Sequence, residues 1–304
     1  MKEIFTALIT PFNQDQSIDY AGLYRIMDKL IEEGNKSFLL CGTTGETSTL
    51  KLDERRLLVE NILEKYPQIR VIVGISSNST SQVIRHINMY KDNPRIYAYL
   101  VIVPYYIKPS QSGIFKHFDL IASSTDKKIM IYNIPSRCGV AIDVSTVIRL
   151  ANKHKNIIGM KQCGPLDEIH MLKDALPQFK VYIGDDHLLL EGLKQRADGI
   201  ISVSSHLDYP LIEEICRNEN IFDDRYLKLI SEYVFIEPSP APIKYILSQL
   251  GYIQNILRCP LTPIEEDSEV KLTPLIEKYK ENDLKLKSEC DMILILLKKP
   301  IHKS

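Results

Sequence analysis

What this sequence lacks narrows its chemistry first. Its six cysteines, Cys41, Cys138, Cys163, Cys216, Cys259 and Cys290, are scattered without any C-x-x-C spacing. That argues against a zinc site and against a disulfide framework, and leaves them as reduced thiols. An excess of charge of one sign is also missing. The 38 Lys and Arg balance 39 Asp and Glu, for a formal net charge of -1, so there is no electrostatic footprint for nucleic acid or an anionic membrane, and small-molecule substrates are expected instead. No apolar run is long enough to span a bilayer: the longest near the C-terminus, 292–297, reads as one side of a docked terminal helix. The first residues, Met1-Lys2-Glu3-Ile4-Phe5, reach Pro11 without the apolar stretch of a signal or transit peptide, so a cytoplasmic location is expected.

What is present is alternation. Short apolar runs rich in β-branched residues occur at 6–9, 38–41, 71–75, 98–103, 129–133, 157–161, 181–184 and 199–203. Between and after them lie helix-periodic segments at 20–33, 53–66, 81–91, 113–123, 144–153, 168–176, 187–196 and 210–217. Asp19, Asp53, Thr80 and Asp143 stand where a side-chain oxygen could cap a first helical turn. Near-continuous apolar strands imply that both sheet faces are covered, and eight regular units favour a closed (β/α)8 TIM barrel. We expect the barrel over 1–221 and a C-terminal helical extension over 222–304. The extension lacks strand–helix alternation, carries Pro238, Pro240, Pro242, Pro260 and Pro263, and is joined without a Gly/Ser linker.

In this fold the chemistry lies at the C-terminal ends of the strands. There the sequence places Gly42-Thr43-Thr44-Gly45-Glu46 after the second strand, Pro104-Tyr105-Tyr106 after the fourth and Tyr132 through Arg137 after the fifth. The sixth strand ends Gly159-Met160-Lys161, the seventh runs into Gly184-Asp185-Asp186 and the eighth into Ser204-Ser205. Backbone N–H groups and hydroxyls of a glycine-containing loop suit a carboxylate. A lysine at an apolar strand end suits a nucleophilic amine, and with tyrosines to move protons and an arginine to hold a second carboxylate the set fits amine catalysis on a keto acid.

Each residue has a plainer reading. A lone strand-end lysine is usually a snorkelling surface residue, Tyr132 and Tyr106 could be packing residues, the 42–46 loop could be only a tight turn and Arg137 only a surface ion pair. Their convergence on one rim favours the catalytic reading. Asp185-Asp186-His187 could suggest a metal cluster but reads better as an acidic helix start, so no metal is expected.

These residues, in this order and spacing, make the chain resemble the dihydrodipicolinate synthase branch of the N-acetylneuraminate lyase family of pyruvate-dependent aldolases. The resemblance runs from Ala7-Leu8-Ile9-Thr10-Pro11-Phe12 through the rim motifs to Glu237-Pro238-Ser239-Pro240-Ala241-Pro242-Ile243-Lys244 and Leu257-Arg258-Cys259-Pro260. It implies that Lys161 forms an imine with pyruvate and that Tyr132 is the adjacent proton donor and acceptor. Thr44 would link Tyr132 to Tyr106, which in the family reaches into a neighbouring subunit, so a homo-oligomer is implied, a dimer at least and commonly a tetramer. Thr43 and Thr44 would bind the pyruvate carboxylate, Arg137 the carboxylate of L-aspartate 4-semialdehyde, and Gly184 and Ile201 would line the pocket, with no cofactor.

The family's glycine-containing loop after the third strand is Ile75-Ser76-Ser77-Asn78 here, and four further residues depart from the family pattern: Gln162 and Cys163 after the lysine, Cys138 after Arg137, and His206 after the eighth strand. They bear on the choice of aldehyde more than on the Schiff base. Leu52, Arg55 and Gln82 replace the two histidines and glutamate of the lysine-inhibited relatives, although Asn78 and Tyr105 remain, which implies weak or absent lysine feedback. The alternatives are a sibling aldolase cleaving a 2-keto-3-deoxy sugar acid or N-acetylneuraminate, a non-catalytic keto-acid-binding paralogue, and a pyridoxal-phosphate enzyme. Arg137 separates the first, the intact Lys161-Tyr132-Thr44-Tyr106 set argues against the second, and the lack of a distinct phosphate cup argues against the third.

Overall fold

A computed structural model describes residues 2–218 and 223–281 of the chain. The boundary expected at 221, the apolar run 292–297, Cys290 and the tail beyond about Lys285 lie outside the described residues. Eight parallel strands close on themselves in chain order: β1 Glu3–Ala7, β2 Ser37–Leu40, β3 Arg70–Ile75, β4 Ile96–Ile102, β5 Ile129–Asn133, β6 Ile157–Gln162, β7 Lys180–Ile183 and β8 Gly199–Ser202, with β8 paired back to β1. This is the TIM barrel expected from the alternation.

The strands are buried along nearly their whole length because helices cover the outside. These are α1 Tyr20–Glu32, α2 Leu52–Lys65, α3 Thr80–Asn88, α4 Gln111–Ser123, the short α5 Pro135–Cys138, α6 Val144–Lys153, α7 Asp167–Ala175, α8 Leu189–Lys194 and α9 Tyr209–Arg217. The extension follows as α10 Arg225–Val234, α11 Ala241–Gln249 and α12 Glu266–Glu281. Amphipathic periodicity explains the outer helices: α1, for example, buries Leu23, Ile26, Met27 and Leu30 along one stripe. α11 differs, because every residue from Ala241 to Leu247 is buried, Lys244 included.

The first strand begins three residues earlier than its apolar run suggests. Glu3 joins the sheet because its carboxylate accepts from Arg70 Nη1 at 2.6 Å and from the Tyr182 hydroxyl, which offsets the cost of placing a charge there. Of the four expected caps, Asp19 accepts from Gly22 N at 2.8 Å. The others behave differently. Asp53 lies inside α2, whose first turn is closed instead by Glu54 accepting from Lys51 N at 2.8 Å. Thr80 is already helical and its hydroxyl bonds His117 Nδ1 at 2.9 Å, while Asp143 occupies the cap position without a side-chain bond. A Ser/Thr/Asp side chain with a tertiary partner in reach gives up its local cap.

Candidate active site

Adjacent parallel strands set the geometry of the site. Tyr132 on β5 is in register with Lys161 on β6, so the two side chains leave the sheet side by side toward the same end of the barrel. Lys161 is buried, and its Nζ lies 5.0 Å from the centroid of the Tyr132 ring. Among the described residues the amine has neither a carboxylate partner nor a hydrogen bond. That arrangement is costly for stability and useful for chemistry, because nothing must be broken before the amine reacts.

Tyr132 is buried as well. Burial pushes its phenol well above the ordinary value of 10.0, opposed by the guanidinium charge of Arg137 and by the nearby Thr43 side chain. The phenol is therefore neutral at physiological pH. Thr43 thus lies near the Tyr132 phenol, and its neighbour Thr44 is buried. Arg137 is exposed on α5 and pairs with no carboxylate among the described residues, so it is not the surface ion pair of the plainer reading.

Gly184, after β7, packs against Lys161. A Cβ added to Gly184 would meet Cys163 Sγ at 2.1 Å and Lys161 Cε at 2.7 Å, so only glycine lets these two side chains pack there. Ile201 is fully buried and in register with Phe5. Tyr106 sits apart, 85% exposed, in a left-handed conformation at φ 70°, with its backbone N–H held by Cys138 O at 3.2 Å.

The four departures from the family pattern separate on inspection. Cys163 touches the site: its thiol packs with Lys161 against Gly184, and burial raises it to about 12, which keeps it protonated. Gln162 points away from Lys161, accepting from Asn133 Nδ2 at 2.9 Å and donating to Glu168 Oε2 at 2.6 Å. Cys138 donates from Sγ to Val103 O at 3.2 Å and pins the turn after Arg137 to the end of β4. His206 is fully buried, with Nε2 accepting from Ile9 N at 3.3 Å, which leaves Nδ1 to donate to Val203 O at 2.8 Å. It is a scaffold histidine.

Asp186 caps a different element from the one expected. Its Oδ2 accepts from Val203 N at 3.0 Å and Ser204 N at 2.6 Å, shaping the loop after β8 rather than its own helical turn. No group of His, Cys, Asp or Glu suited to a metal ion occurs among the described residues. The sequence reading also assigned no role to Glu46, Lys244 and Arg258, which meet behind the 42–46 loop: Lys244 Nζ lies 2.5 Å from Glu46 Oε1, and Arg258 N donates to Glu46 Oε2 at 3.1 Å. A lysine inside an otherwise apolar helix was the available signal.

Comparison with known proteins identifies the family. The model of the dihydrodipicolinate synthetase family matches residues 1–279. The chain is 36% identical over 283 residues to the 4-hydroxy-tetrahydrodipicolinate synthase of Hydrogenobaculum sp. (strain Y04AAS1), covering 90% of this chain and 97% of that one. Among solved structures it is similar to the 4-hydroxy-tetrahydrodipicolinate synthase of the thermoacidophilic methanotroph Methylacidiphilum fumariolicum SolV, with TM-score 0.85, 36% identity and coverage of 92% and 96%. A monomeric dihydrodipicolinate synthase variant matches with TM-score 0.86 and 32% identity, at coverage of 92% and 96%. With the family model spanning the barrel and most of the extension, and relatives above 30% identity along nearly their full length, the chain belongs to the dihydrodipicolinate synthetase family.

Proposed function

We propose that Lys161 is the Schiff-base nucleophile with which this enzyme condenses pyruvate and L-aspartate 4-semialdehyde to 4-hydroxy-tetrahydrodipicolinate, a step of lysine and diaminopimelate biosynthesis. The observation that carries the assignment is the buried amine without an ion pair, set in register beside Tyr132. Lys161 Nζ attacks the ketone of pyruvate, water leaves, and the resulting iminium accepts electrons as a methyl proton departs to give an enamine. That enamine carbon attacks the aldehyde, whose oxygen takes a proton to become the hydroxyl, and the amino group of the same substrate then adds to the re-formed iminium carbon and expels Lys161 Nζ, closing the ring and freeing the lysine. Tyr132 gives and takes protons at the imine. Thr43 and Thr44, with the backbone N–H groups of their loop, receive the pyruvate carboxylate, while Gly184 and Ile201 bound the imine and the unpaired Arg137 receives the carboxylate of the aldehyde. Arg137 also favours this substrate over the sugar acids of sibling aldolases.

Borohydride reduction in the presence of pyruvate, followed by mass spectrometry, tests the assignment. A three-carbon adduct on Lys161 is expected, and an unmodified Lys161 would overturn it.

In the same reading residues 1–221 form the catalytic barrel and 222–304 the extension, and the enzyme acts in the cytoplasm. No helix among the described residues is long and apolar enough to cross a membrane. Exposed Tyr106 completes the site of a neighbouring copy through Thr44, so a dimer is the minimal active unit, commonly within a tetramer. Lysine feedback is weak or absent: Gln82 is exposed, and Arg55 is tied to Leu50 O at 3.1 Å where a lysine-binding site would need a free acceptor. Strong inhibition by L-lysine at low concentration would refute this.

A further inference from the structure

The 42–46 loop holds a shape that its own residues do not favour. It is bracketed by two non-glycine residues in the left-handed region, Cys41 at φ 54° and Glu46 at φ 51°. Such conformations persist only where surrounding contacts over-determine them. Inside the loop, Gly45 N and Thr47 N donate to Gly42 O, and Glu46 N donates to Thr43 O at 3.0 Å, so the position of Thr43 depends on where Glu46 is held.

Glu46 is held from the far end of the chain. Its carboxylate is fully buried and accepts from Lys244 Nζ on α11 at 2.5 Å and from Arg258 N at 3.1 Å. Lys244 Nζ also donates to Thr10 O at 3.0 Å, and Thr10 Oγ1 donates to Gly45 O at 2.8 Å, so one cation grips the loop from both sides. The Phe12 ring lies between Lys244 Nζ, 4.3 Å away, and the Arg258 guanidinium, 4.4 Å away. Arg258 is in turn anchored by Glu54 Oε1 at 2.6 Å and by Thr49 O at 3.1 Å. Burial draws the Lys244 amine down to about 8, against the attraction of Glu46, so at neutral pH the amine remains mostly cationic.

We propose that Lys244 and Glu46 are positioning residues for pyruvate: their buried ion pair lets the C-terminal extension fix the 42–46 loop, and with it the hydroxyls that receive the pyruvate carboxylate. This rests on the assignment of Thr43 and Thr44 as the carboxylate site. Neither residue of the pair touches Lys161 or Tyr132, so they act on how pyruvate is held and not on the amine itself.

The test is the pyruvate dependence of borohydride trapping at Lys161, measured with the double variant Glu46→Gln/Lys244→Met and separately with Thr10→Val. The double variant leaves no unpaired charge in the interior, and Thr10→Val removes only the bond to Gly45. For the double variant the half-saturating pyruvate concentration is expected to rise roughly tenfold or more, while the limiting extent of trapping stays within roughly threefold of the parent. Thr10→Val moves in the same direction by less. A role confined to stability would lower the extent of trapping and leave half-saturation unchanged, and that result overturns the proposal. Wild-type half-saturation in a folded double variant does the same. An unmodified Lys161 in the parent protein overturns the functional reading, and this inference with it.

Discussion

The protein buries two lysines within a short reach of the same loop, and treats them in opposite ways. Lys244, behind the 42–46 loop, has a carboxylate, a backbone carbonyl and an aromatic face around its amine. Lys161, in front of it at the barrel mouth, has one aromatic ring and, among the described residues, no hydrogen bond. A buried cation with its partners supplied holds structure in place; the same group left without them is available to bond carbon. The loop carrying Thr43 and Thr44 lies between the two regions, so under the proposed reading it is where the architecture behind it would bear on substrate binding.

Replacing the free lysine should separate the two regions most sharply. Lys161→Met is expected to lower kcat/KM on the order of 10^4-fold or more while leaving thermal stability unchanged or raised, checked by coupled assay and by melting temperature. A large loss of stability would mean that Lys161 is a structural cation after all. Next in size is Tyr132→Phe. It keeps the ring beside Lys161 and removes the hydroxyl, so kcat should fall by roughly 10^2- to 10^3-fold with trapping at Lys161 still detectable, and a near-normal kcat would reassign the proton transfer.

The partnered side of the comparison is read by pH. His206 has both nitrogens committed to backbone groups, and burial lowers it from an ordinary 6.5 to about 4. Between those values the unfolded chain binds the proton and the folded one does not, so acid favours unfolding. As pH falls from 6.5 to 4, the unfolding free energy of the wild type should therefore drop on the order of 3 kcal/mol relative to His206→Asn, measured by urea titration at each pH. Parallel pH profiles would show that His206 is not held neutral.

Smallest is the effect at the wall between the lysine and Cys163. Gly184→Ala drives a methyl into Cys163 Sγ and Lys161 Cε. It should cost roughly tenfold in kcat/KM, with a good part recovered in Gly184→Ala/Cys163→Ala. Absence of any recovery would place Cys163 away from the nucleophile.

Much of this was legible in the residues. Eight apolar runs with helices between them specify a closed barrel because parallel strands covered on both faces leave a period that is easy to count. Lys161, Tyr132 and Arg137 could be placed at the rim because the end of each strand was visible. Glu3 was harder to place, because a charge at a strand start joins a sheet only when distant partners such as Arg70 and Tyr182 meet it. Asp186 was misjudged for the same reason: its local context describes a helix start, and its partners are the backbone N–H groups of residues 203 and 204. Glu46 and Lys244 are 198 positions apart, and no local pattern connects them.

That separation gives the molecule an order of assembly. All eight strands and Lys161 have been synthesised before Lys244 and Arg258 appear, so a growing chain possesses Lys161 well before it possesses the residues that hold the 42–46 loop. The grip on Thr10 closes a span of 234 residues, among the most non-local contacts in the fold, and entropy places such closures late. If the pair positions pyruvate as proposed, a barrel that closed without its extension would still carry Lys161 and would hold a keto acid only weakly.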